Sequence, residues 1–148
     1  DVRGNPSMDM IYLSVDSMNN LVCVYQYVNK VAVYNDRQEL LSEFRIDGLP
    51  DECRSTKTMY EELGSLPEGE MFRDVGVDNK GHILILGGDY SRHPARDVYV
   101  VDYKGTRVTD FILPNRTGLL FLDQHGFLYT RENERTVLKR YQMQYVDF

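Results

Sequence analysis

The chain has 148 residues, 42% hydrophobic and 27% charged, with 17 basic against 23 acidic side chains and a net charge of -6. That balance suits one domain, or a piece of a larger one, and excludes disorder, a collagen-like repeat and a disulfide scaffold. It disfavours nucleic acid as a partner, because phosphate binding needs a basic stripe. No apolar run approaches the roughly 20 residues of a membrane-spanning helix.

In chain order, an apolar strand is expected at 11–15, closed by Asp16, then a polar turn at 17–20 and a second strand at 21–25. A further hairpin follows, with strands at 30–34 and 39–46 around a turn at 35–38. Residues 47–71 then break the pattern, carrying seven acids against two bases. Within them Thr58 and Glu61 have capping-box spacing and Gly64 suits a helix stop, so a short helix is expected there. The strand–Asp–turn–strand phrase returns at 75–86 around Asp78 and Gly81, and at 119–130 around Asp123 and Gly126. Second hairpins follow both: 97–102 with 106–114, and 136–141 with only 142–148 left for its partner.

Asn20, Gly81 and Gly126 are read as one equivalent turn position, where left-handed backbone is cheap for Gly and tolerated by Asn. The preceding Asp can accept backbone N–H groups across each turn. The Asp residues at 16, 78 and 123 stand 62 and 45 residues apart. The shorter interval fits the roughly 40–50 residues of a propeller blade, and the longer one locates an insertion. The expected fold is therefore all-β, with four-stranded antiparallel meanders arranged as about three β-propeller blades. Blade 1 is expected at 8–46, an acidic inter-blade insertion at 47–71, blade 2 at 72–114, and at 115–148 a third blade that runs out of chain near its last strand. A β-sandwich would explain the strands but not one Asp-turn signature at the same point of each unit.

The phrases around Asp16, Asp78 and Asp123 resemble the "VD-x-x-G-x-hydrophobic-hydrophobic" core of NHL repeats, and Val31-Ala32-Val33-Tyr34 and Val98-Tyr99-Val100-Val101-Asp102 resemble the family's next strand. The likeness is greatest to six-bladed propellers common among secreted or lipid-anchored bacterial proteins. It implies a secreted, periplasmic or lipid-anchored protein, although the N-terminus has no signal-peptide core, so a targeting segment is expected to have been removed or never present. It also implies that the loops at 26–29, 47–71, 87–96, 114–117 and 131–135 share the face on which such proteins bind things.

On that face the stretch from Gly87 to Arg96 is richest in chemistry. Arg92 and Arg96 suit a carboxylate or phosphate, Tyr90 can stack on a sugar or peptide, and His93 adds an imidazole. Tyr60, Glu61 and Glu62 in the insertion and Arg131 complete the candidate contacts. Against this stands the plain reading of a polar loop with Arg96 paired to Asp97 or Asp89, and of an insertion whose acids merely keep it solvated. His82 and His125, in equivalent turns, are expected as solvated side chains. No CxxC, no calcium-loop spacing, no phosphate-cradling Gly loop and no assignable catalytic triad is present, so no catalytic residue, metal or cofactor is expected. Cys23 is expected in the core, and with Cys53 in a polar stretch the two make no disulfide framework.

Two functions follow. One is a non-enzymatic binding or scaffold module presenting a loop face to a peptide, protein or glycan. The other is part of a six-bladed propeller enzyme, a hydrolase or lyase with a metal in its central channel. Three blades do not close a ring, so either the exposed end faces meet a second copy of the chain or the remaining blades of a longer one, or the three units form a distorted open structure.

Overall fold

The computed structural model describes residues 10–57, 65–132 and 136–144, with only the backbone at 55–57 and 65–67. Short runs rich in Val, Ile, Leu and Tyr, bounded by Asp, Asn and Gly, form the strands. Blade 1 is β1 (Ile11–Val15), β2 (Leu21–Tyr25), β3 (Val31–Tyr34) and β4 (Leu40–Phe44), paired antiparallel in that order. Two short strands, β5 (Ser55–Lys57) and β6 (Ser65–Pro67), make a hairpin inside the insertion. Blade 2 repeats the meander with β7 (Phe72–Val77), β8 (Ile83–Gly87), β9 (Asp97–Val101) and β10 (Arg107–Ile112). Blade 3 has three strands among the described residues, β11 (Thr117–Leu122), β12 (Phe127–Glu132) and β13 (Leu138–Gln142). No helix occurs among the described residues, and the expected helix at 58–64 lies outside them.

One turn is used five times. In each, an Asp or Asn side-chain Oδ1 accepts the N–H groups two and four residues on, and the third residue takes positive φ. Asp16 holds Met18 and Asn20, Asp78 holds Lys80 and His82, and Asp123 holds His125 and Phe127. Asn35 and Asp102 do the same in the second hairpins, to Arg37 and Glu39 and to Lys104 and Thr106. The left-handed positions are Asn19 (φ 62), Gln38 (φ 65), Gly81 (φ 80), Gly105 (φ 85) and Gly126 (φ 84). The expectation that Asn20 is the left-handed residue of the first turn is thus corrected to Asn19. Asn20 instead donates both its amide and its side-chain NH₂ to Asp16.

The inner strands β1, β7 and β11 stand side by side, with β7 between the other two. Because side chains alternate across a strand, each blade has a forward face toward the next blade and a rear face toward the one before. Val22, Val24, Val31 and Val33 on the forward face of blade 1 pack against Val75, Ile83, Ile85, Tyr99 and Val101 of blade 2. Leu84, Leu86, Val98 and Val100 on the forward face of blade 2 pack against Leu120 and Leu128 of blade 3. These dry contacts, not local propensity, fix the blades relative to each other. Cys23 and Cys53 are both buried free thiols, Cys53 deeper than its polar neighbours suggest.

Candidate functional site

The five Asp/Asn turns all join a blade's first to second or third to fourth strand, so they share one end of the meanders. The β2–β3 and β8–β9 loops, the insertion and the β10–β11 link occupy the other end, which is the candidate loop face. There they are bonded into one body. Cys53 N–H donates to the Tyr27 carbonyl and Asn29 N–H to that of Asp51, joining the first loop to the insertion. Met71 N–H donates to the Gln26 carbonyl, and Gly88 and Asp89 N–H groups donate to Met71 and Glu70. At Gly88 the two backbones pass so closely that an added Cβ would lie 2.0 Å from the Glu70 carbonyl oxygen. Only glycine fits that crossing.

The Tyr90 hydroxyl is part of this seam. It accepts from Arg54 N–H at 2.7 Å and donates to the Glu68 carbonyl at 3.0 Å, so it ties the insertion to the β8–β9 loop. Arg96 uses Nε on the Leu113 carbonyl at 2.8 Å, tying the same loop to the end of blade 2 rather than pairing with Asp97 or Asp89. His93 and Asp97 form a local clasp: His93 N–H donates to Asp97 Oδ2 at 2.8 Å, and its Nδ1 lies 2.9 Å from Oδ1. Arg92 is exposed and makes no hydrogen bond or ion pair with a described residue.

Beside these residues opens a cleft of about 480 Å³. Tyr90, Arg92 and His93 line one side, Asp47 to Leu49 another, and Arg107, Phe111 and Ile112 of β10 the third. Arg107 is already committed, paired to Asp110 and lying 5.1 Å from the centre of the Tyr99 ring. The polar groups lining the cleft that have no hydrogen-bond partner among the described residues include the Arg92 guanidinium, His93 Nε2 and the buried Ser91 hydroxyl. Arg131 does not join them. Expected in a loop, it lies instead in β12, paired opposite Leu119 and Leu138, on the forward face of blade 3. Tyr60, Glu61 and Glu62 lie outside the described residues.

A second polar group, not expected from the sequence, gathers at the loop end of the inner strands. Gln26 Nε2 donates to Glu70, whose other oxygen lies 3.0 Å from Arg73 Nε. Burial, with the Glu70 and Asp74 charges behind it, pushes the Tyr12 phenol up to about 12. Burial also raises Asp74, although its carboxylate accepts the amides of Val75 and of Leu120 in blade 3. Tyr12 reads as one more core tyrosine, and only its position on the forward side of an inner strand marks it otherwise. Burial and nearby acids raise Cys53 to about 11, which makes it an inert thiol. Among the described residues no group of three His, Cys, Asp or Glu side chains could hold a metal ion.

No protein-family model and no curated protein matches this sequence. Solved structures do. The virginiamycin B lyase of Staphylococcus aureus matches with a TM-score of 0.51 at 12% identity, over 90% of this chain and 41% of that one. A protein of unknown function from Bacteroides caccae matches with a TM-score of 0.50 at 11% identity, over 89% of this chain and 46% of that one. The chain thus spans less than half the length of either, and at these identities the likeness is one of fold. Taken with the three consecutive meanders, it makes this chain a β-propeller unit of about three blades.

Proposed function

We propose that this chain is a non-enzymatic binding module of NHL-like blades from an extracytoplasmic six-bladed propeller, whose loop face takes a peptide, protein or glycan. The observation that carries this reading is the contrast within the β8–β9 loop. Its backbone, Tyr90 and Arg96 are spent on holding the loop to the insertion and to blade 2. Arg92 and His93 Nε2 are left at the rim of the cleft, where a rigid frame presents them to solvent. With the loop backbone already fixed, only the Arg92 side chain has to be ordered on meeting a carboxylate or sulfate, and the Tyr90 and Phe111 rings offer apolar wall beside it. Rigid loops on a stable scaffold are where binding residues concentrate.

Arrays of peptides and of neutral and acidic glycans, probed with the purified chain, test this. Binding to a defined subset is expected, weakened about tenfold by Arg92→Ala, the loss of one charged contact worth about 1.4 kcal/mol. Binding indifferent to Arg92→Ala and to His93→Ala would place the contact elsewhere.

A further inference from the structure

Three blades leave two uncovered sheet faces, and the repeat identifies what each is shaped to meet. In blades 2 and 3 the residues one and three before the turn Asp, and five after it, make the rear face: Val77, Val75 and Ile83, then Leu122, Leu120 and Leu128. The same positions in blade 1 are Val15, Leu13 and Leu21. They have the same apolar character but no blade behind them, so Leu13 is 52% and Val15 60% exposed. At the other end the forward face of blade 3 is equally bare, with Phe121 65% and Leu138 75% exposed.

We infer that a second copy of this chain covers both faces, the forward face of blade 3 in each copy packing on the rear face of blade 1 in the other. The two bare faces of one chain are unlike halves of a single blade-to-blade contact. Two copies related by a twofold axis therefore satisfy all four faces at once and close six blades with no surface left over. Their chemistry is complementary. The forward face of blade 3 adds Arg131 and Arg140 to its aromatic residues, with Arg140 lying 4.8 Å from the centre of the Phe127 ring. The rear face of blade 1 offers the Tyr34 ring, beside Tyr25 and the half-exposed Glu43 carboxylate, both of which Lys30 already contacts. Guanidinium groups suit such tyrosine rings and carboxylates. The new junction is not a copy of the internal ones. Phe121 stands two residues before its Asp, where the internal junctions have Ser14 and Gly76, so the inner strands are held further apart.

This inference rests on the propeller reading but not on the loop face. Light scattering on the full chain at micromolar concentration is the test. A single species of twice the 17.3 kDa chain mass is expected. Leu13→Glu, on one face, and Leu138→Glu, on the other, should each give the 17.3 kDa monomer with unchanged far-ultraviolet circular dichroism, since both side chains are exposed in one chain. Arg92→Ala should leave the dimer intact. A wild-type monomer would overturn the inference and leave the faces to blades of another chain. An open-ended series of larger species, or a dimer that survives both variants, would overturn it equally.

Discussion

Tyr103 of blade 2 donates its phenol hydroxyl to Oδ2 of Asp16 in blade 1, while Oδ1 of the same carboxylate accepts two amides of its own turn. One aspartate therefore both shapes a hairpin and latches two blades. Burial alone would raise its pKa, but the bonds from Tyr103, Asn20 and Met18 outweigh that and hold it below 3.8. Removing the hydroxyl with Tyr103→Phe should cost about 1 kcal/mol, less than is usual for a bond to a charged group because the site is partly solvated. The check is denaturant unfolding, with a lowered midpoint and an unchanged slope.

Acid sensitivity follows from the same turns. Asp16, Asp102 and Asp123 all have pKa values lowered below 3.8 by the hydrogen bonds they accept. A carboxylate depressed in the folded state contributes stability above its unfolded pKa, and that contribution is lost as pH falls through 3.8 toward the folded value. The thermal midpoint should accordingly drop on acidification below about pH 4. Asp102→Asn keeps the acceptor, as Asn35 does in the matching turn of blade 1, and should flatten that dependence without changing the fold.

Of the three left-handed residues that are not glycine, Asn19 and Gln38 lie in the repeated turns, where Gln38 marks an improvable site, while Ala95 lies in the β8–β9 loop. Gln38→Gly relieves positive φ and should raise stability by about 1 kcal/mol, Asn19→Gly should change it far less because asparagine tolerates that backbone, and Gly81→Ala should lower it by about 1 kcal/mol. Melting temperatures of the three variants give the comparison.

Gly88→Ala tests the seam of the loop face. A methyl driven against the Glu70 carbonyl must push the β8–β9 loop off the insertion, breaking the Gly88 and Asp89 amide bonds, at a cost of about 2 kcal/mol. Amide exchange should accelerate at Gly88, Asp89 and Arg54 while the strands of blade 2 stay protected.

The blades were readable because their cause is repetitive: an apolar run, an Asp, a turn, an apolar run. The first turn was misread by one residue because Asn19 and Asn20 are both asparagines, and only the spacing of three from Asp16, shared by Gly81 and Gly126, separates them. The candidate site was legible only as composition. Nothing in Tyr90 announces that its hydroxyl spans from Arg54 to Glu68, since that bond depends on how two distant loops stack. The gathering of Tyr12, Gln26, Glu70 and Arg73 arises likewise from three separate stretches brought together by blade packing.

Arg92 and His93 at the rim of the cleft are the proposed contacts of the binding face. Peptide and glycan arrays probed with the wild-type chain and with an Arg92→Ala, His93→Ala double variant test this most directly. A defined set of bound peptides or glycans is expected, with a signal that falls at least tenfold in the variant while its far-ultraviolet circular dichroism is unchanged. No bound probe, or a bound set that the double variant retains in full, would contradict it.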